Sequence, residues 1–198
     1  MMASDAVIIV FCKAPVTGQV KTRLIPSLGA DGATALASEL IQRTIRTCHA
    51  ADLAPVQVWA DRPHPIFEPW QPIHLQSGND LGERMYNALH AALSVANVSR
   101  VILLGSDCPS IDESYLHKAL QALHTGDAVL GPAEDGGYGL IGFRTVDRAY
   151  FEGIEWSTSL VCAETCRRLN AARLQWSLLP QIWDVDRAED VRRYRQMR

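Results

Sequence analysis

Asp107 is a carboxylate that directly follows a fully apolar segment of the sequence. Residues 101–104 are four consecutive aliphatic residues, two of them β-branched, which predicts a short strand buried on both faces. Pro109 ends this strand, so Asp107 lies just beyond its carboxyl end, where open α/β sheets bind their ligands. The alternative is that Asp107 caps the next helix, although Ser110 and Asp112 stand closer to the helix start. The pattern favours a functional carboxylate.

The loop after the first predicted strand carries three cations that suit a phosphate group. Residues 13–26 form a polar segment punctuated by glycine and proline. Arginine donates forked hydrogen bonds, lysine acts as a point charge, and backbone N–H groups add dipoles. The segment matches neither the Walker loop nor the G-x-G-x-x-G dinucleotide pattern, and a solvated basic loop is the plainer alternative. The candidate phosphate-binding residues are Lys13, Gly18, Lys21, Thr22 and Arg23.

Residues 78–89 combine a predicted helix start with side chains that could bind a ligand. Asp80 is a good N-cap and Glu83 follows at the capping-box spacing, which explains both residues structurally. Three further residues lack such an explanation: Gly82, Arg84 and Asn87. Taken alone, the segment supports a binding site and an ordinary helix equally.

Residues 131–142 join two predicted strands through a glycine-rich segment. Its glycines let the backbone approach a ligand closely, while Glu134 and Asp135 place acidic groups beside it. An Asp-Gly turn is the structural alternative. The segment is longer and richer in glycine than a hairpin requires, which favours a functional role.

Asp184 and Asp186 precede the last predicted helix. Asp186 suits the N-cap position, with Glu189 at the capping-box spacing. Either aspartate could instead bring a second carboxylate to Asp107. Two carboxylates facing a cationic loop suit Mg²⁺ bound together with substrate phosphates. The sequence alone does not establish that these side chains meet.

Strands and helices alternate along the chain around these segments. Helices are predicted over residues 31–51, 81–96, 113–124, 159–170 and 188–198. Strands are predicted over residues 6–12, 55–60, 73–76, 101–104, 128–131, 138–143 and 174–179. The alternation predicts an α/β protein, a three-layer α/β/α sandwich with a mainly parallel mixed sheet and right-handed crossovers. Gly136 and Gly137 predict a hairpin, hence some antiparallel pairing, and the length suits one domain over residues 1–198.

Composition argues against several classes of protein. A net charge of −3 gives no support for nucleic-acid binding, and no apolar run approaches the ~20 residues that span a membrane. The first residues lack a basic region and cleavage site, so we expect a cytoplasmic protein. Five cysteines, an odd number, argue against a disulfide framework, and Cys162 and Cys166 are expected to be core or half-buried thiols. The G-x-S-x-G elbow of α/β hydrolases does not occur.

Five motifs, in this order, resemble the nucleotide-diphospho-sugar transferase superfamily, which has a glycosyltransferase-A-like (Rossmann-like) fold. They span nearly the whole chain: Phe11–Leu24 (F-x-K-x-P-x-x-G-x-V-K-T-R-L), Asn79–Met85 (G-x-L-G-E-R-M, with asparagine in the first position here), Gly105–Pro109 (G-x-D-C-P), Gly131–Gly142 (G-P-A-x-D-G-G-Y-x-L-I-G) and Trp156–Thr158 (W-S-T). The combination is most similar to the rSAM/selenodomain-associated transferase branch.

Shorter segments resemble two groups of guanylyltransferases. Residues 21–24 look like the K-[ST]-R-L of phospholactate guanylyltransferases, and the Asp107 turn resembles the metal-binding Asp-x-Pro turn of molybdenum-cofactor guanylyltransferases. Residues 184–190 are similar to the D-x-D-T-P-E-D of these relatives. This chain departs from that pattern, with Arg187 and Ala188 in place of Thr-Pro.

The resemblance implies a nucleotide over the first half of the sheet and a small-molecule acceptor over the second half. It implies that Mg²⁺ or Mn²⁺ is held by Asp107 and Asp186. The nucleotide-binding candidates are the five loop residues together with Gly82, Arg84 and Asn87. The acceptor-binding candidates are Asp135, Gly136, Gly137, Tyr138, Trp156 and Ser157, and the catalytic candidates are Lys21, Arg23 and Asp135. A homodimer is compatible with this interpretation.

One departure from the family pattern bears on the reaction. Sugar-transferring members present D-x-D at the strand end, whereas this chain has a single carboxylate, Asp107, after Gly105 and Ser106. We therefore expect nucleotidyl transfer from a nucleoside triphosphate to a small phosphorylated acceptor, with release of pyrophosphate. Glycosyl transfer from a nucleotide-sugar is the first alternative. The second is a nucleotide-binding module without catalytic activity.

Overall fold

Seven strands form one mixed sheet in the computed structural model, which describes residues 5–197. The strands are β1 (Ala6–Cys12), β2 (Val56–Ala60), β3 (Ile73–Leu75), β4 (Arg100–Gly105), β5 (Ala128–Pro132), β6 (Tyr138–Phe143) and β7 (Trp176–Leu178). The α-helices are α1 (Ile25–Ala50), α2 (Leu81–Leu93), α3 (Glu113–Ala122), α4 (Val161–Ala171) and α5 (Ala188–Gln196). The strand order is β3-β2-β1-β4-β6-β5-β7.

The two halves of the sheet differ in strand direction. Strands β3, β2, β1 and β4 are parallel to one another, whereas β6 is antiparallel to both of its neighbours, β4 and β5. The hairpin between β5 and β6 turns at Gly136, whose φ of 88° favours glycine. The predicted hairpin and the antiparallel pairing in the second half are therefore confirmed.

Helices cover both faces of the sheet, because successive strand residues point to opposite sides. On one face, Ile8 and Val10 pack with residues of α1 and α3 such as Ile45 and Leu116. On the other face, Val7, Ile9 and Leu103 join residues of α2 and α4, including Met85, Leu89 and Leu169. This arrangement confirms the predicted three-layer α/β/α sandwich.

A third apolar cluster attaches the carboxyl-terminal segment to the start of α1. Val185 and Tyr194 are buried there against Leu24, Leu36 and Leu40. This packing brings residues 183–186 beside the loop that follows β1. The cluster therefore positions two of the acidic candidates close to the cationic loop.

The first helix begins earlier than predicted, at Ile25 rather than near residue 31. Pro26 is tolerated in the first turn of a helix, where its missing N–H would have no helical partner. Gly29, with a φ of 71°, interrupts the helical backbone shortly afterwards.

No helix within residues 5–197 is both long and apolar enough to cross a membrane. All five cysteines are free thiols, as predicted.

Candidate active site

Asp107 lies in the short turn between β4 and α3, and it does not cap the helix. The cap is Asp112, whose carboxylate accepts a hydrogen bond of 2.8 Å from the backbone N–H of Tyr115. The capping alternative for Asp107 is therefore wrong, and its side chain, 41% exposed, is available for other contacts.

Lys21 forms an ion pair with Asp107 across 86 positions of sequence. Its Nζ lies 2.9 Å from Oδ2 of Asp107, and its side chain is only 12% exposed. Burial alone would lower the pKa of Lys21, but the charge and hydrogen bond of Asp107 outweigh it, so the pKa lies above its ordinary value. Lys21 has a left-handed backbone, with a φ of 46°, directly before a short 3₁₀ helix. The loop after β1 thus brings an ammonium group to the end of β4.

Arg23 and Asp186 form a second ion pair beside the first. The N-cap of α5 is Arg187, and the carboxylate of Asp190 accepts from the N–H groups of Arg187 (2.7 Å) and Asp186 (3.1 Å). The capping alternative for Asp186 is therefore wrong, because α5 begins at Ala188 as predicted and the residue directly before it, Arg187, is the N-cap. The Asp186 carboxylate is left to pair with Arg23.

The segment before α5 also brings Asp184 into the site. The backbone N–H of Val185 donates to the carbonyl oxygen of Asp107 at 3.0 Å, which fixes the segment beside the end of β4. Burial raises the pKa of Asp184 to about 6, and the negative charges of Asp107 and Asp135 add to the effect. Asp184 and Asp186 were both candidates for a second carboxylate, and Asp186 was the predicted metal ligand. The Asp-Val-Asp spacing could have identified Asp184 as a site residue, because residues two positions apart in an extended segment lie on the same face.

Three adjoining cavities meet at Asp107, which is the one described residue that lines all of them. The first cavity, about 360 Å³, includes Phe11, Asp61, Gln76, Arg84 and Met85 in its lining. The second, the cationic cavity of about 320 Å³, includes Lys13, Lys21, Thr22, Arg23 and Asp186. The third, the acidic cavity of about 330 Å³, includes Asp135, Gly137, Tyr138, Trp156, Ser157 and Asp184.

The first cavity has a polar wall held by hydrogen bonds to the backbone. Nε2 of Gln76 donates to the carbonyl oxygens of Cys12 (2.9 Å) and Trp59 (3.0 Å). Asp61 accepts from the N–H of Ala14 at 2.6 Å through Oδ1. These contacts fix the orientation of both side chains. Neither residue was among the predicted site residues, although Asp61 directly follows a predicted strand.

The helix start at residues 78–87 has structural explanations that the sequence analysis missed. A Cβ on Gly82 would lie 2.4 Å from Cζ2 of Trp156, so this position needs glycine. Asn87 donates through Nδ2 to the carbonyl oxygen of Ser77 at 2.8 Å, and Nε of Arg84 donates to that of Gly78 at 3.1 Å. The prediction that these three residues lack a structural need is therefore wrong. Arg84 lines the first cavity, whereas Gly82 and Asn87 line none of the three.

Glycines also shape the two loops that approach Asp107. Gly18, with a φ of 78°, forms a turn outside the lining of the three cavities, whereas Lys13, Lys21, Thr22 and Arg23 all line the cationic cavity. A Cβ on Gly136 would lie 2.2 Å from the carbonyl oxygen of Ser159, so Gly136 packs against the start of α4 rather than lining a cavity.

Asp135 is held in the hairpin turn, with Oδ1 accepting from the N–H of Gly137 at 2.9 Å. Trp156 also lines the acidic cavity, and its Nε1 is buried without a hydrogen-bond partner in the described chain.

Among residues 5–197, no three His, Cys, Asp or Glu side chains converge as a complete set of metal ligands. A divalent ion at Asp107 would therefore need additional oxygen ligands from a bound substrate or water.

Comparisons with known proteins agree with this fold. The family model described as "Uncharacterized protein conserved in bacteria (DUF2064)" matches residues 40–158. No curated protein sequence shows significant similarity to the chain. A solved structure from Desulfovibrio desulfuricans G20, provisionally assigned as a nucleotide-diphospho-sugar transferase, is 36% identical. That similarity covers 93% of this chain and 83% of the other, with a TM-score of 0.86.

Two more distant structures share the fold at 13% identity. A nucleotidyl transferase from Methanothermobacter thermautotrophicus gives a TM-score of 0.67, with 97% of this chain and 96% of that chain covered. CMP:2-keto-3-deoxy-manno-octonic acid synthetase complexed with CTP gives a TM-score of 0.64, with 98% of each chain covered. Together with the family match, the 36% identity over most of its length shows that this chain belongs to the DUF2064 family, within the nucleotide-diphospho-sugar transferase superfamily.

Proposed function

We propose that this protein is a divalent-metal-dependent transferase that moves a nucleotidyl group from a nucleoside triphosphate to a small acceptor and releases pyrophosphate. In this proposal the nucleoside occupies the first cavity, the phosphates occupy the cationic cavity and the acceptor occupies the acidic cavity. The observation that carries the proposal is the position of Asp107, the residue shared by all three cavities. A metal-binding carboxylate in a group-transfer enzyme must lie where donor and acceptor meet.

The cationic cavity supplies the groups that a triphosphate requires. Lys13 and Lys21 present ammonium groups, and Arg23, 67% exposed, presents a guanidinium that can form forked hydrogen bonds with phosphate oxygens. Lys21 and Arg23 are paired with aspartates, so they can exchange these partners for phosphate oxygens when a nucleotide binds. During transfer, both cations would stabilise the negative charge that develops on the departing pyrophosphate.

The donor atoms around Asp107 fit Mg²⁺ or Mn²⁺. Oδ2 of Asp107 pairs with Lys21, whereas Oδ1 contacts only the Cys108 thiol, at 3.9 Å, among its described hydrogen-bond partners. We assign Asp184 as the second protein ligand, in place of Asp186, because Asp184 lines the acidic cavity together with Asp107 and the hydrogen bond from the Val185 N–H to the Asp107 carbonyl oxygen holds it there. Two carboxylates supplemented by substrate phosphates are a common ligand set for Mg²⁺. The bound ion would neutralise phosphate charge and polarise the α-phosphorus.

Glycosyl transfer from a nucleotide-sugar is the second candidate function. It is favoured by the name given to the 36% identical Desulfovibrio protein, a nucleotide-diphospho-sugar transferase. The same cavities would then hold the nucleoside diphosphate and the sugar acceptor. The two reactions differ in their leaving group, which is pyrophosphate in the first and a nucleoside diphosphate in the second.

The two candidates are separated by the leaving group. The purified protein is incubated with Mg²⁺, each of the four common nucleoside triphosphates and a panel of small acceptors, and pyrophosphate release is followed. A parallel series uses nucleotide-sugars, with nucleoside diphosphate release as the signal. We expect acceptor-dependent pyrophosphate from at least one triphosphate. Release only from a nucleotide-sugar would support the second candidate, and absence of both signals would contradict the proposed function.

A further inference from the structure

The acidic cavity carries three carboxylates, from Asp107, Asp135 and Asp184. Its described lining contains no lysine, arginine or histidine. The other polar side chains of the lining are neutral, such as Tyr138, Ser157 and Thr158. The apolar part of the wall includes Trp156. The wall therefore offers hydrogen bonds and ring contacts together with a concentrated negative charge.

The cations nearest to this cavity line the neighbouring cationic cavity and are paired with aspartates. Lys21 is bound to Asp107, and Arg23 is bound to Asp186. Neither cation is part of the described lining of the acidic cavity, so its carboxylates face the acceptor space without a basic side chain beside them.

A divalent ion would reduce this charge without reversing it. Three ionised carboxylates contribute −3, Lys21 beside Asp107 contributes +1 and Mg²⁺ or Mn²⁺ would contribute +2, so these charges cancel and the phosphates of the bound nucleotide make the occupied site negative. An acceptor with a phosphate or carboxylate group would therefore meet like charges at short range in a partly buried space. Like charges in such a setting are strongly disfavoured.

We infer that the acceptor bears no phosphate or carboxylate group, and that it is a neutral or positively charged molecule of about monosaccharide size that presents a hydroxyl group. The inference rests on the proposed function, because it concerns the acceptor of that reaction. It replaces the phosphorylated acceptor that we expected from the sequence. A cavity of about 330 Å³ with an indole wall and the hydroxyl groups of Ser157 and Thr158 suits a polyol or an amino sugar.

The reaction that follows from this acceptor is balanced within the groups already named. The acceptor hydroxyl oxygen attacks the α-phosphorus, a new P–O bond forms, and the bond from the α-phosphorus to the bridging oxygen of pyrophosphate breaks. The hydroxyl proton passes to the carboxylate of Asp135, which is held by the N–H of Gly137 on the acidic side of the cleft. Solvent then accepts the proton, and pyrophosphate leaves through the cationic cavity.

The test compares three probes of matched size: glucose, glucosamine and glucose 6-phosphate. Nucleotide binding is measured first by calorimetry with each Mg-nucleoside triphosphate; failure at this step counts against the proposed function. The three probes are then titrated into the protein saturated with Mg²⁺ and the nucleotide that it binds best. We expect glucosamine or glucose to bind at least about tenfold more tightly than glucose 6-phosphate.

Charge substitutions at Asp135 make the test specific to this cavity. Asp135→Lys is expected to strengthen glucose 6-phosphate binding at least about tenfold, and Asp135→Asn, which keeps the acceptor atom of the turn, at least about threefold. Glu134→Lys is the matched control, because Glu134 pairs with Arg193 outside the cavity lining. Glu134→Lys should leave the relative affinities of the three probes unchanged. Tighter binding of glucose 6-phosphate by the unaltered protein, no response to the Asp135 substitutions, or no binding of any probe to any variant would overturn the inference.

Discussion

The two sides of Asp107 differ in charge, although they belong to one continuous cleft. The cationic cavity is lined by Lys13, Lys21 and Arg23, all from the loop after β1. On the other side, the acidic cavity receives Asp135 from the hairpin and Asp184 from the segment before α5. The cations follow β1 in the parallel half of the sheet, whereas Asp135 follows β5 in the half that contains the antiparallel strand.

The cleft is therefore divided by charge, with cations on one side of Asp107 and carboxylates on the other. Asp107 contributes to both cavities, and its ion pair with Lys21 lies at their boundary. A phosphate-rich donor is attracted to one side, and an acceptor with little negative charge is accommodated on the other. If the cleft is arranged in this way, substitutions on each side should affect mainly the molecule that binds there.

The largest effect is expected for Asp107→Asn, which removes the carboxylate common to both sides. Transfer should fall about 10³-fold or more, because a metal-binding carboxylate is lost where charge develops. Initial rates of product formation at saturating donor provide the measurement. The control is Asp112→Asn, which alters the cap of α3 five residues away and should leave the rate within about twofold. An Asp107→Asn rate close to that of the unaltered protein contradicts the assignment.

A smaller loss is expected on the cationic side alone. Lys21→Met keeps the stem of the side chain but removes the ammonium, so transfer should fall about 10²-fold. Nucleotide affinity should fall as well, whereas acceptor affinity should change little. Lys118→Met, at an exposed position of α3, is the matched control. Equal losses of donor and acceptor affinity in Lys21→Met would mean that the two sides are not separate.

The wall of the acidic cavity is tested by Gly82→Ala. The added Cβ would lie 2.4 Å from the Trp156 ring, so the indole must move. We expect a loss of about 1–3 kcal/mol in the free energy of unfolding, measured by urea denaturation. Removing the ring in Gly82→Ala/Trp156→Ala should make the Gly82→Ala change nearly neutral. A Gly82→Ala variant as stable as the parent would show that this contact does not hold the wall.

The smallest effect concerns the pH dependence of stability. In the folded protein the pKa of Asp184 is about 6, above its ordinary value of 3.8, so the folded state binds this proton more tightly than the unfolded state. The resulting stabilisation is present at low pH and is lost as the pH rises from about 4 through about 6. Because the group is only partly buried, we expect about 1 kcal/mol.

Asp184→Asn should remove this component, so the variant should be about 1 kcal/mol more stable than the parent at pH 8 in the presence of EDTA. Urea denaturation at pH 4 to pH 8 measures the difference. Asp31→Asn, at an exposed position of α1, should show no such pH trend. Parallel pH profiles for Asp184→Asn and the parent would show that Asp184 does not interact with the other carboxylates of the acidic cavity.

Local patterns predicted the layers and most elements of the fold. The bounds of β1 and β6 agree with the sequence analysis, because each strand is a continuous apolar segment between polar turns. The start of α1 was placed too late, whereas α5 begins at Ala188 as predicted. Pro26 was read as part of the loop although it suits a first helical turn, and the cap of α5 was placed one residue early.

The contacts that assemble the site could not be predicted from local sequence patterns. The pairing of Lys21 with Asp107 joins residues 86 positions apart, and it depends on how the loop after β1 folds over the end of β4. Similarly, the hydrogen bond from Val185 to Asp107 sets Asp184 in place through tertiary packing of α5. The family motifs supplied the residues, whereas their division into a cationic and an acidic side required coordinates.

The most direct test of the central role of Asp107 is Mn²⁺ binding in the presence of a bound nucleotide, followed by electron paramagnetic resonance. We expect the unaltered protein to bind one Mn²⁺ per chain together with the nucleotide. Asp107→Asn should lose Mn²⁺ affinity by about tenfold or more, while Asp112→Asn should bind Mn²⁺ as the parent does. Equal Mn²⁺ affinity in Asp107→Asn and the parent would contradict the assignment of Asp107 as the metal-binding carboxylate.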